Sequence, residues 1–263
     1  MLFNLLIRIF IKAQSNTMIL LIIAATIPVV FLATLAYIKD TEKEPISLLI
    51  KSFILGIFIV LPIIMVELIL DSGIQFFVKE QSIVNSFLQA FVVAGLVEES
   101  FKYMATLFVL RKNKYYDQFY DGIVYAVFVS LGFAFLENIL YVVEHGMQTA
   151  IIRGLLTVPA HALFGVAMGY YISLSKMSNK KDASKNRFLA LFVPICLHGL
   201  FNFFLIDMEN QKENQALLVI VYLIGFFIFN IVLWRFGLKN IKKHIALDKE
   251  MIQKNGDQTT STV

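Results

Sequence analysis

Three charged residues inside an apolar run constrain this chain most. Glu98, Glu99 and Lys102 lie near the middle of Ile83–Leu110, a stretch that is otherwise apolar or weakly polar and long enough to cross a bilayer. A charge in hydrocarbon costs about 2.5–3.5 kcal/mol per residue on insertion scales, so such residues face a bundle interior, find partners and carry function. On a helix Glu98 is four residues from Lys102 and Glu99 three, so either glutamate can pair with the lysine and leave the other for chemistry. Adjacent helical positions are about 100° apart, so the two carboxylates are not expected to face one point.

The rest of the chain supplies the matching environment. Of 263 residues 58% are hydrophobic and 16% charged, against about 45–50% and about 25% in soluble domains. Apolar runs of about 20 residues satisfy their backbone as helices rather than as a barrel. The fold class is therefore all-α, a polytopic membrane bundle of about seven transmembrane helices. The lone Cys196 excludes an intrachain disulfide and a thiolate metal cluster. The net charge of +4 sits mainly in loops, where it serves orientation in a lipid bilayer and gives no nucleic-acid footprint.

Residues 1–17, with Arg8 and Lys12 among apolar residues, read as an interfacial segment. Residues 18–237 form one transmembrane domain, with predicted spans over about 18–37, 47–70, 82–110, 120–143, 151–174, 188–206 and 215–236. Residues 238–263 are basic, then polar, and are expected to fray as a cytoplasmic tail. The loops after the first, third and fifth spans and the tail are rich in Lys and Arg. Those after the second, fourth and sixth hold only Lys79, Arg153 and Lys212. The positive-inside rule puts the C-terminus in the cytoplasm of a multi-pass cell-membrane protein. Seven spans then put the N-terminus outside, against Arg8 and Lys12.

At about 1.5 Å per residue, Glu98, His161 and His198 all fall near mid-membrane, with Glu137 nearer the outer side. Four helices thus bring polar groups to the middle and outer thirds. A lone membrane histidine is often a hydrogen-bonded packing group. Two at matching depth favour a site, since imidazole can donate to an oxyanion, shuttle a proton or ligate a metal. Asn202 lies one turn beyond His198 and is placed to orient that imidazole or to donate to an oxyanion. Glu137 and Asn138 suit either an interhelical hydrogen bond or the edge of the site. Gly165 and Gly169 read as a close-packing seam, and Asp121-Gly122 as a helix-end feature.

No His-Glu-x-x-His, Gly-x-Ser-x-Gly or Walker motif is present. His161, His198 and a glutamate are the candidate ligands for a divalent metal such as zinc, although no specific motif supports one.

Glu98-Glu99-Ser100-Phe101-Lys102 resembles the Glu-Glu-x-x-Lys motif of the PrsW family of intramembrane proteases. The stretches Asp121-Gly122-Ile123-Val124-Tyr125 and Gly132-Phe133-Ala134-Phe135-Leu136-Glu137-Asn138-Ile139-Leu140-Tyr141 resemble that family's second block. Pro159-Ala160-His161-Ala162-Leu163-Phe164 and Leu197-His198-Gly199-Leu200-Phe201-Asn202 resemble its two histidine blocks. The blocks occur in order across a motif core of 95–206. The family is similar, more distantly, to the CAAX-prenyl protease and bacteriocin-processing (CPBP) group, whose first motif is also a glutamate pair on a membrane helix.

The resemblance implies an endopeptidase acting on membrane-bound protein substrates. Family members include an enzyme that cleaves an anti-sigma factor on its extracytoplasmic side, so that or another regulatory membrane protein is the expected substrate class. Glu98, Glu99, His161 and His198 are then the expected catalytic residues, activating water and stabilising the oxyanion. Lys102, Glu137, Asn138 and Asn202 are expected to support them. Intramembrane Glu, Lys and His also suit a proton-coupled transporter, though no inverted repeat is evident. A non-catalytic immunity or sensor protein on the same scaffold is the third alternative.

Overall fold

The computed structural model describes residues 16–79, 81–177, 179–211 and 215–260. Residues 1–15 of the expected interfacial segment lie outside the described residues. Within them the chain is helical, with no strand: α1 Asn16–Lys39, α2 Ile46–Phe58, α3 Val60–Phe77, α4 Ile83–Phe87, a π-helical stretch Leu88–Leu96, α5 Val97–Leu110, α6 Phe119–His145, α7 Met147–Leu155, α8 Thr157–Met177, α9 Lys180–Glu209 and α10 Ala216–Thr260. These make seven helical units long and apolar enough to cross a membrane. The protein is a multi-pass membrane protein. Large apolar side chains such as Ile23, Ile27 and Phe31 on α1 and Ile224, Phe227 and Ile231 on α10 lie on the outer surface, where lipid rather than water meets them.

Prolines set two breaks. A proline removes one intrahelical hydrogen bond and crowds the carbonyl four residues back. Pro62 crowds Phe58, where α2 ends, and Pro159 crowds Leu155, where α7 ends. The second predicted span is thereby split into α2 and α3, and α3 continues to Phe77 through residues expected in a loop.

The buried centre is α6, packed between α2 and α8. Small residues allow the close approach that membrane helices use in place of a hydrophobic driving force. A Cβ on Gly132 would stand 2.0 Å from the Phe53 carbonyl of α2, and one on Gly56 would stand 2.1 Å from the Val129 carbonyl of α6. On the other side a Cβ on Gly169 would lie 2.2 Å from the Gly122 carbonyl, and one on Gly165 would lie 2.9 Å from Ser130 Oγ. The Gly165/Gly169 pair is thus a packing seam, as its spacing suggests.

Asp121 forms a capping box with Gln118 at the start of α6, which is the helix-end role expected of it. The expected frayed tail is corrected: α10 continues to Thr260. His244 and Asp248 on this extension are fully buried, and the Asp248 carboxylate accepts from Phe119 N at 2.6 Å and Tyr120 N at 2.9 Å. The extension therefore stays helical because it satisfies two orphan donors at the head of α6.

Candidate active site

The site is built where the π-helical stretch gives way to α5. A π turn widens the helix and is frequent at functional sites. Gly95, within it, faces α9: a Cβ there would be 3.1 Å from the Ile195 carbonyl. Gly199 faces back, with a Cβ position 2.2 Å from the ring of Phe91. The two glycines let α9 come close enough to bring His198 to the glutamate pair.

Glu98 and Glu99 occupy the first turn of α5 and Lys102 the next, all three buried. Lys102 Nζ lies 2.8 Å from Glu98 Oε2 and 3.0 Å from Glu99 Oε1. The expectation that the carboxylates point apart is corrected here. Their two-methylene stems bend both onto one ammonium, so the lysine does not choose between them. The third partner of Nζ is His161 Nδ1 at 3.2 Å, and the ring of Phe133 lies 3.9 Å from it. All three ammonium protons thus have acceptors.

His161, in the second turn of α8, places Nε2 3.0 Å from Glu137 Oε2 on α6. His198 on α9 places Nδ1 2.9 Å from Glu99 Oε1 and 3.8 Å from Glu98 Oε2. The two imidazoles are 5.2 Å apart, centre to centre, with Phe164 stacked on His198. A carboxylate only accepts, so His198 donates from Nδ1.

The depth-matched residues therefore meet. Glu98, Glu99, Lys102, Glu137, His161 and His198, drawn from four helices, form one connected network. Asn202 lines the same cavity but does not hold the His198 imidazole, a place taken by Glu99. Asn138 meets the network only through Arg153: it donates to the Ala25 carbonyl of α1 at 3.2 Å and accepts from Arg153 Nε at 3.2 Å. Two residues of the cavity wall lie outside the sequence motifs. Arg153 on α7 pairs with Glu137 at 2.8 Å. Its signal was that it is one of three cations in otherwise cation-poor loops. Glu67 on α3 lines the cavity, and its signal was a lone carboxylate in an apolar run.

The cavity holds about 580 Å³ and reaches from Glu98, His161 and His198 to the end of the bundle marked by Asp71, Gln89, Glu144 and Arg153. The loops after the second, fourth and sixth spans lie at that end. Glu98 lines the cavity, whereas Glu99 lies behind it and is wholly buried.

The donor set also suits a divalent metal. One ligand atom from each of Glu98, Glu99, His161 and His198 lies within 4.8 Å of the others, and two carboxylates with two imidazoles are zinc-type ligands. Glu99 Oε2 is buried without a partner. Three of the four groups, Glu98, Glu99 and His161, are already arranged around a positive charge, the Lys102 ammonium.

Sequence comparison now decides the family. A family model described as "PrsW family intramembrane metalloprotease" matches residues 44–233. The chain belongs to the PrsW family of intramembrane proteases. It is 38% identical over 227 residues to Protease PrsW of Bacillus subtilis, covering 86% of this chain and 96% of that protein. It is 40% identical over 188 residues to Protease PrsW of Oceanobacillus iheyensis, covering 72% and 84%, and 35% identical over 239 residues to that of Clostridioides difficile, covering 88% and 94%. No solved structure matches the chain. This membership makes the chain a membrane-embedded peptide hydrolase, with membrane proteins in the bilayer as its substrates.

Proposed function

We propose that the chain cuts membrane-anchored regulatory proteins, anti-sigma-factor-like proteins among them, at the outer edge of the bilayer, with Glu98 as the base that activates water. The carrying observation is that Glu98 lines the cavity beside His161 and His198 while Glu99 is sealed behind it.

In this mechanism an apolar substrate segment lies along the wall formed by Val60, Ile63, Leu140, Phe201 and Leu205. Glu98 takes a proton from water as the water oxygen bonds to the scissile carbonyl carbon. Asn202, on the cavity wall, donates to the oxyanion. As the C–N bond breaks, Glu98 returns the proton to the leaving nitrogen. Glu99 anchors His198, and Lys102 balances the charge of the glutamate pair. His161 and His198, with a glutamate, are the residues suited to hold a zinc ion, which when bound supplies Lewis-acid polarisation and a more acidic water.

The cavity's open end coincides with the cation-poor loops, which supports an extracytoplasmic opening and a cytoplasmic C-terminus. The test is cleavage of a panel of single-span membrane proteins by wild type and by Glu98→Ala, Glu99→Ala, His161→Ala and His198→Ala. A wild-type arm in detergent with and without a chelator decides metal use. Unchanged activity in both glutamate variants would remove the assignment.

A further inference from the structure

We propose that Arg153 is a positioning residue of the proteolytic site, acting through Glu137 on the imidazole of His161. The inference rests on the site assignment just given. Among the described residues, Arg153 is the one lysine or arginine lining the cavity. It sits on the short helix α7, and three groups hold its guanidinium. Nη2 lies 2.8 Å from Glu137 Oε2, Nε donates to Asn138 Oδ1 at 3.2 Å, and the guanidinium carbon lies 4.0 Å from the centre of the Tyr141 ring.

One oxygen makes the connection. Glu137 Oε2 meets both Arg153 Nη2 and His161 Nε2. A guanidinium held by Asn138 and by the Tyr141 ring keeps its charge in place against that carboxylate as an ion pair. The consequence passes through the imidazole. The Lys102 ammonium only donates, so His161 must offer it a lone pair at Nδ1 and carry its proton at Nε2. That proton needs an acceptor in the ring plane, and Glu137 Oε2 is it. Arg153 thus fixes Glu137, Glu137 fixes the plane and tautomer of His161, and His161 completes the cradle of the ammonium that holds Glu98 and Glu99. Arg153 does this without touching the glutamate pair.

The test is a double-mutant cycle in the full-length protein, reconstituted in lipid vesicles with a single-span substrate, each rate divided by the folded fraction. Arg153→Met should lower kcat about 10–100-fold and change KM less than about threefold, because misplacing a positioned group acts on the chemical step. Arg153→Lys should recover part of the loss. In a Glu137→Gln background Arg153→Met should cost no more than about a further threefold, since residues acting through one another are not additive. Full additivity would overturn the inference, as would a rise in KM at constant kcat, which would make Arg153 a substrate contact. Glu137→Gln at wild-type rate while Glu98→Gln is inactive would overturn it and leave the site assignment standing. Glu98→Gln at wild-type rate would remove the site assignment, and the inference with it.

Discussion

Lys102 Nζ lies 3.2 Å from His161 Nδ1, and this contact joins the two halves of the site. An ammonium cannot accept a hydrogen bond, so the imidazole accepts at Nδ1 and donates at Nε2 to Glu137. The lysine of the Glu-Glu-x-x-Lys motif therefore does more than neutralise carboxylates on its own helix. It ties α5 to α8, and through Glu99 and His198 to α9.

Removing that cation should unfold the site. Lys102→Met leaves Glu98 and Glu99 buried together with no countercharge, a loss of about 3–5 kcal/mol by comparison with other broken buried pairs. The expected result is a marked fall in folded yield and in Tm in detergent. Lys102→Met combined with Glu99→Gln should recover part of both. Equal Tm for wild type and Lys102→Met would show that the glutamates find another partner.

Close approach of α9 is a separable requirement. A Cβ on Gly199 would stand 2.2 Å from Phe91, whose ring is stacked on Phe87. Gly199→Ala should push α9 from the π-helical stretch, lengthen the His198–Glu99 contact and lower cleavage at least about tenfold, since small misplacements in a catalytic site carry large rate costs. Adding Phe91→Ala opens the space and should restore part of the rate. No rescue would mean that the glycine serves something other than this contact.

Much of this site was legible in the sequence, because charge and imidazole are costly in hydrocarbon and stand out against it. Glu98, Glu99, Lys102, Glu137, His161 and His198 were all visible in that way, and the matching depth of Glu98, His161 and His198 pointed to one site, with Glu137 toward its outer side. Asn138 could be given a depth but not an azimuth, because sequence fixes only the first: it shares Glu137's level, donates to the Ala25 carbonyl of α1 and meets the site through Arg153. Arg153 was hidden by its position at the edge of the fifth predicted span, where it counted only as a loop cation for orientation. The helical tail was missed because its polar surface resembles disorder, while the contact that orders it, Asp248 on the head of α6, spans 128 residues of sequence to Tyr120.

That contact is testable. Asp248 caps α6 from outside the helix, and loss of a helix cap costs about 0.5–2 kcal/mol. Asp248→Ala should lower Tm by a few degrees. Truncation after Leu238 should lower it further, because the buried His244 is lost as well. Unchanged Tm on truncation would mean that the extension contributes nothing to the bundle.

The loop between α1 and α2 should make stability depend on pH. Burial raises Asp40 from 3.8 to about 6, with the charge of Asp248 adding to the shift. Burial raises Glu44 from 4.5 to about 7, helped by Asp40 and Asp117 and opposed by the Tyr125 hydroxyl that donates to it. Both groups hold protons more tightly when folded. Their contribution is therefore full below about pH 4 and is lost as the pH rises through about 6 and about 7. Tm in detergent should fall across that window, and Glu44→Gln should flatten its upper part. A Tm that rises with pH there would contradict this account of the loop.

The most direct test of the central claim is the initial rate of peptide-bond cleavage in lipid vesicles by wild type and by Glu98→Gln, which keeps the shape of the side chain and removes its basicity. The account predicts a folded variant whose rate is lower by at least about 10²-fold, the usual contribution of a general base. A folded Glu98→Gln protein that cuts the same substrate at the wild-type rate would contradict it.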